Sequence, residues 1–446
     1  MPNDMSSSNQ DLPAEFQITG KFYLLLLFVS GIGVISALIM ILFFFLQNAF
    51  TNLIWKGIYA DSLSPVFNPW IMLICILGGL GVGVIRHYFK GDIAIMAEDL
   101  IEFNKTGRFA MKRGLELFIR GLVSLVCGAP LGPEGPLTVS TGAVGTAVAE
   151  KVRLPPPAVA LSSLAGISGF FGAFLSSPFA GALLFIEMTL EKGTMSWKAV
   201  LPSIVAATTG FATYFLISGS FIGTMFSLPA YEGFRDIDLL YAVILGLVGG
   251  AAGIFFIILY HKMREIFEPL EIRPILLGLV GGLGLGITGI LLPLTLFMGS
   301  DQLQILIDSY LEISLGLLLL LVVVKILLVT FSLSTGFAGG YIFPSFFIGG
   351  TIGILVFRLF PFIPLAVCIV CAIAAVSVSL LRSPIAIALI IAIVFQQELL
   401  PAMAISLVIG FIMSYRYSLP YQRKGCGNAG DTMGKKPSPG SAGNKD

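Results

Sequence analysis

Leu131 to Val139 reads LGPEGPLTV. It sets two glycines, two prolines and a carboxylate inside a chain that is otherwise nearly all apolar. An ionisable residue within a membrane span costs about 2.5–3.5 kcal/mol on insertion scales, so Glu134 asks for a use. One use is local: a carboxylate caps the start of its own helix, favourable by up to ~2 kcal/mol. The other use follows from the same physics. A helix start carries unpaired N–H groups and roughly half a positive charge, which makes it an anion site without any basic side chain. A carboxylate that satisfies such a site also competes for it. Glu134 can sit there as a tethered plug and leave when protonated, which makes it a gate or a proton carrier.

The neighbouring residues predict where the helix starts lie. Gly132 precedes Pro133 and is pushed away from helical geometry. Pro133 lacks an N–H and suits a helix beginning, so a helix is predicted from near Glu134. In the second half, STGFAGGYIFP (334–344) favours loop up to a second start near Tyr341–Pro344. Gly132, Gly135, Gly339 and Gly340 leave backbone N–H groups uncovered. The predicted anion donors are therefore the backbones around Gly132 and Gly135, and those of Gly340, Tyr341, Ile342 and Phe343. Two helix starts aimed at one point would hold an unhydrated anion that an arginine or lysine would grip too tightly to release. Glycines in GGLGVG (78–83) and GGLGLGITG (281–289) read instead as close helix packing.

Other chemistries find little support. Cys75, Cys127, Cys368 and Cys371 lie in apolar context, and Cys426 lies in the polar tail. The CxxC of Cys368 and Cys371 has no second pair and reads as packing. His87 and His261 sit beside basic residues near span ends, and no HExxH pattern exists, so no metal or cofactor is expected. GISG (166–169) places its serine in a Gly-rich apolar helix without a base, so no enzyme is expected. Cation transport with Glu134 and Glu187 as ligands would need an Asp or Asn cluster in the spans, and none is present.

The elements that carry these residues must be membrane helices. Of 446 residues, 56% are hydrophobic and 11% charged, against about 25% charged in soluble domains. Phe22 to Phe50 is too long for a signal-peptide core and reads as a retained first helix. Leu315 to Thr330 is a second such run. The net charge of +1 gives no attraction to nucleic acid. Residues 1–20 read as a cytoplasmic N-terminal segment. Residues 421–446 are rich in Gly, Ser, Pro and Lys and read as a disordered cytoplasmic tail with no regulatory domain. RHYFKGDIAIMAEDLIEFNKTGRFAMKR (86–113) reads as a loop with a membrane-flanking helix.

The chain also repeats itself. GPEGPLTVSTGAVGTAVAEKVRLP (132–155) parallels GGYIFPSFFIGGTIGILVFRLFP (339–361), with Pro136 matching Pro344. SSPFAGALLFIEM (176–188) parallels RSPIAIALIIAIV (382–394), with Pro178 matching Pro384. The anchors are 208 and 206 residues apart. Two anchors at nearly one offset suggest a duplication, with halves near 70–215 and 275–415 inside a membrane domain of 21–420. Transporters are often built from such repeats, with the substrate site where broken helices of both halves meet.

These residues resemble the chloride channel and transporter (CLC) family. GPEGP is similar to its GREGP motif, with Glu134 at the gating glutamate, and GGYIFP is similar to GxFxP at Gly340–Pro344. RYSLP resembles the segment whose tyrosine hydroxyl coordinates the central anion, which implies that role for Tyr417. The resemblance covers roughly residues 20–420 and implies an all-α integral membrane fold. That fold has many tilted and broken helices in two inverted repeats. It further implies a homodimer in the lipid bilayer, with one pore per subunit, in the inner membrane of a bacterial cell.

Chloride or a similar anion is the implied substrate, with protons as a second partner if the protein is an antiporter. The departures are informative. Pro133 replaces the motif arginine, removing a charge and an N–H. Asp92 falls nearest the serine of the family's GSGIP motif. Ile342 replaces a phenylalanine, which leaves the backbone donors intact. The inner glutamate of the family's exchangers corresponds to Met188, which cannot carry a proton, and Glu187 stands one position earlier. Passive or weakly proton-coupled anion transport is therefore expected, with a Cl−/H+ antiporter or a fluoride transporter as alternatives.

Overall fold

The computed structural model describes residues 20–57, 68–93, 95–190, 199–219, 226–229, 231, 233–395 and 397–417. Nearly all of the two polar ends, 1–20 and 421–446, lies outside the described residues. The first half holds α1 (Gly20–Trp55), α2 (Pro69–Phe89), α3 (Met96–Thr106), α4 (Met111–Val126), α5 (Glu134–Lys151), α6 (Pro156–Phe174), α7 (Pro178–Leu190) and α8 (Val200–Ser218). The second holds α9 (Ile237–Phe267), α10 (Pro274–Leu291), α11 (Ser300–Asp308), α12 (Leu315–Ser334), α13 (Ile342–Leu359), α14 (Leu365–Leu381), α15 (Pro384–Val394) and α16 (Leu400–Ser414).

Among the described residues, eight helices are long and apolar enough to cross a membrane. At 1.5 Å per residue, the 36 residues of α1 run about 54 Å. That exceeds a hydrocarbon core of about 30 Å, so α1 is long enough to cross with residues to spare. The 13 residues of α7 and 11 of α15 run only about 20 Å and 17 Å, too short to cross alone. Short helices can end at membrane depth only where protein satisfies their free backbone groups. They therefore mark the protein's interior.

The two halves keep register. Pro136 is the third residue of α5, as Pro344 is of α13. Pro178 opens α7 as Pro384 opens α15. Prolines tolerate these first turns because the N–H they lack would be unpaired there.

Close packing follows the glycines. A Cβ on Gly79 would overlap the Gly278 carbonyl, and one on Gly282 would overlap that of Cys75. The glycine-rich runs 78–83 and 281–289 thus bring α2 and α10 backbone to backbone. Cys368 and Cys371 are fully buried packing residues on α14. His87 lies in the last turn of α2, near a span end as expected, and His261 lies in the C-terminal part of α9.

Candidate anion site

The two motif loops meet as a pair. Gly132 N–H donates to Gly340 O at 2.9 Å, and Gly340 N–H donates to Gly132 O at 2.7 Å. This antiparallel two-residue bridge locks the approach to α5 against the approach to α13. Such closeness requires bare backbone: a Cβ on Gly135 would come within 2.7 Å of Gly339 O. Only two N–H groups lead each helix before its proline: those of Glu134 and Gly135 on α5, and of Ile342 and Phe343 on α13.

Glu134 turns away from solvent into this junction and is fully buried. Its Oε1 accepts from Ile342 N–H at 2.6 Å. The N–H groups of Phe343 and of Glu134 itself also face the carboxylate. Among the described residues, its Oε2 has no hydrogen-bond partner. Among the described residues, no lysine or arginine pairs with it. The negative charge is thus held by backbone dipoles, as the glycine-and-proline pattern predicts. A Cβ on Gly132 or on Gly340 would overlap the Glu134 side chain. Both glycines are therefore needed to seat it.

Aromatic walls close the junction. Tyr341, Ile342 and Phe343 are nearly fully buried. The Phe343 ring meets Phe174 edge-on at 5.3 Å, and Tyr341 lies against Phe256 at 6.3 Å. Ser124 of α4 ties the loop from below. Its Oγ accepts from Ala338 N–H at 3.0 Å and donates to Arg120 O at 2.8 Å. The junction thus offers backbone N–H dipoles rather than a basic side chain, and the Glu134 carboxylate is set against them.

The remaining predicted residues stand elsewhere. Asp92 is exposed; its backbone carbonyl accepts from Arg120 Nη1 at 3.1 Å, and its carboxylate acts electrostatically on Arg86. Tyr417 follows α16 and is 42% exposed, whereas Glu134 is fully buried. Met188 lies on α7 with its side chain outside the described residues. Glu187 Oε1 accepts from Ile385 N–H at 3.0 Å and Oε2 from Ala386 N–H at 2.9 Å. It therefore caps α15, joining the short helices of the two halves.

Sequence reasoning missed the buried cations. Lys325 is fully buried on α12, and its Nζ donates to Thr295 O at 3.0 Å and Phe297 O at 2.8 Å. It also stands 4.8 Å from the Phe347 ring. Its signal was visible as the one charge in the run Leu315 to Thr330. Arg86, Arg120 and Glu116 are also buried. Arg86 opens the charged block 86–113, which reads as a loop with a membrane-flanking helix, and Glu116 and Arg120 follow that block on α4.

Residues 78–415 match the family described as voltage gated chloride channel. The chain belongs to that family. This CLC protein is an integral, multi-pass membrane protein whose function is anion transport, on the all-α fold of broken helices in two inverted repeats. It is 31% identical over 352 residues to YfeO of Salmonella paratyphi A (strain ATCC 9150 / SARB42), a protein named provisionally for ion transport. That alignment covers 77% of this chain and 82% of YfeO. In structure it is similar to a CLC-type fluoride/proton antiporter, with TM-score 0.77 and 21% identity, covering 91% of this chain and 99% of that one. It is also similar to a slow cyanobacterial Cl−/H+ antiporter, with TM-score 0.73 and 17% identity, covering 88% of this chain and 94% of that one. At these identities the likeness shows the fold.

Proposed function

We propose that this CLC protein passes chloride through the seat at the start of α13, and that Glu134 gates it. One observation carries the reading: the Glu134 carboxylate occupies the backbone N–H groups that an anion would use, 2.6 Å from Ile342 N. A passing anion must displace it. Protonation removes the charge that holds the carboxyl against those dipoles and opens the seat. The donors are the backbones of Ile342 and Phe343, with Gly132, Gly135, Gly340 and Tyr341 shaping the approach.

Transport is passive or weakly coupled on this reading. Proton exchange needs a protonatable station on each side, because a bare proton does not cross an apolar gap. Met188 supplies none, and the Glu187 carboxylate is committed to the α15 N–H groups. The protein works as a homodimer in a bacterial inner membrane, with one pathway per subunit.

A Cl−/H+ or F−/H+ antiporter is the second reading, favoured by the fold's likeness to antiporters of both kinds. Purified protein in liposomes, with chloride efflux and proton movement recorded together, separates the two. Chloride efflux with no uphill proton movement is expected. Sustained proton pumping at a fixed anion-to-proton ratio would establish the antiporter, and fluoride passing in preference to chloride would change the substrate.

A further inference from the structure

A set of buried charges lies alongside the loop that leads to the anion seat. Asp99 of α3 pairs with Arg113 at 2.8 Å, and Glu116 pairs with Arg113 at 2.5 Å and with Arg120 at 3.0 Å. Asp99, Glu116 and Arg120 are each under a tenth exposed. Two carboxylates are thus matched by two guanidiniums. A third guanidinium, Arg86 in the last turn of α2, stands outside these pairs, with Glu271, Glu116 and Asp92 acting on it only electrostatically.

Arg86 is only 3% exposed. Among the described residues its Nε and Nη1 have no hydrogen-bond partner and it forms no ion pair. Leaving a buried charged group unbonded costs more than the ~1–3 kcal/mol typical of neutral polar groups. Such a group needs a ligand or a reason.

Its position supplies one. The guanidinium packs on Gly336, where an added Cβ would lie 2.7 Å from Nη1 and 3.2 Å from Cζ. Gly336 opens the loop that ends at Gly340 and Ile342, the edge of the anion seat. Arg120, whose Nε is likewise unbonded, is joined to the same loop through Ser124 and Ala338. The motif loop thus runs from a seat built of backbone dipoles at one end to a bare buried cation at the other.

We propose that Arg86 is a second anion-binding station, taking a small inorganic anion on its Nε–H and Nη1–H as the anion travels to or from the α13 seat. This rests on the transport reading above. A lone buried guanidinium would trap an anion, but Glu116 and Glu271 act electrostatically on Arg86 and temper its hold. The division of labour is physical: the dipole seat selects an anion and lets it go, and the fixed charge keeps one nearby.

Bromide is the probe, located by its anomalous scattering in crystals of the full chain. Bromide against Arg86 is expected in the wild-type protein and lost in Arg86→Gln, while the α13 seat of a Glu134→Gln protein still binds it. In liposomes, Arg86→Gln should slow chloride efflux by about tenfold, the scale of one charge-assisted hydrogen bond, and Arg86→Lys should recover part of it. Bromide at the α13 seat alone, with a water or a carboxylate on Arg86, overturns the proposal while leaving the transport reading intact. So does wild-type efflux from a folded Arg86→Gln protein. If that variant does not fold, the wild-type bromide positions decide. Absence of bromide from both places, with no chloride efflux from wild-type liposomes, overturns both readings.

Discussion

Replacing Glu134 tests the gate most directly. The bond from Ile342 N–H to Oε1, 2.6 Å long in a fully buried setting, is charge-assisted and worth about 1.5–3 kcal/mol. At 1.4 kcal/mol per tenfold, that bond alone holds the plug in its seat by a factor of about 10–150. Glu134→Ala removes the plug, so the seat opens by up to that factor, within the limit set by the rest of the pathway. Glu134→Gln keeps an acceptor but only a neutral bond of about 0.5–1.5 kcal/mol. The loss of about 1–1.5 kcal/mol leaves the seat about five- to tenfold more open. Neither variant can be protonated at this position. Chloride efflux from liposomes, measured across the acid-to-neutral range, should rise with acidity in the wild type, because protonation discharges the plug. Both variants should be flat with pH, and Ala should be at least as fast as wild type. A Gln variant that keeps the wild-type profile, or an Ala variant that is slower at every pH, would refute the reasoning.

Three further outcomes are expected. Gly340→Ala puts a Cβ into the Glu134 side chain, so it should weaken the pH dependence of chloride efflux even though residue 134 is untouched; an unchanged profile would mean that the carboxylate does not sit here during transport. Pro133→Arg adds a charge and an N–H at the mouth of α5, so chloride affinity should rise and become more sensitive to ionic strength through screening, as equilibrium titration would show. Tyr417→Phe tests whether the hydroxyl reaches the anion: from its exposed position the change should leave affinity within about twofold, whereas a loss of the 1.5–3 kcal/mol typical of a bond to a charged group would place it on the pathway.

The sequence by itself determined the class, the helix starts and the gate candidate. Apolar runs with few charges can only be membrane helices. Gly-Pro-Glu-Gly-Pro cannot continue a helix, and a carboxylate there needs backbone donors to be buried, so LGPEGPLTV marked both the break and the carboxylate. The matching prolines at 136 and 344 also fall at the same step of α5 and α13, because local backbone chemistry places a helix start whatever surrounds it. What the tertiary structure decided is which distant groups meet. Glycine motifs do not say that Gly132 and Gly340 will bond to each other, nor that the Glu134 carboxylate will cross from its own helix to the N–H of Ile342, 208 residues away. Glu187 reads as a spare carboxylate until α15 is seen to begin against it. Residues 86–113 read as a loop with a membrane-flanking helix, because a pattern in one dimension cannot show that neighbouring helices bury Arg86 and Asp99. Pairing and burial depend on long-range packing, and there the fold buries Arg86, which in the sequence is only the first charge of that block.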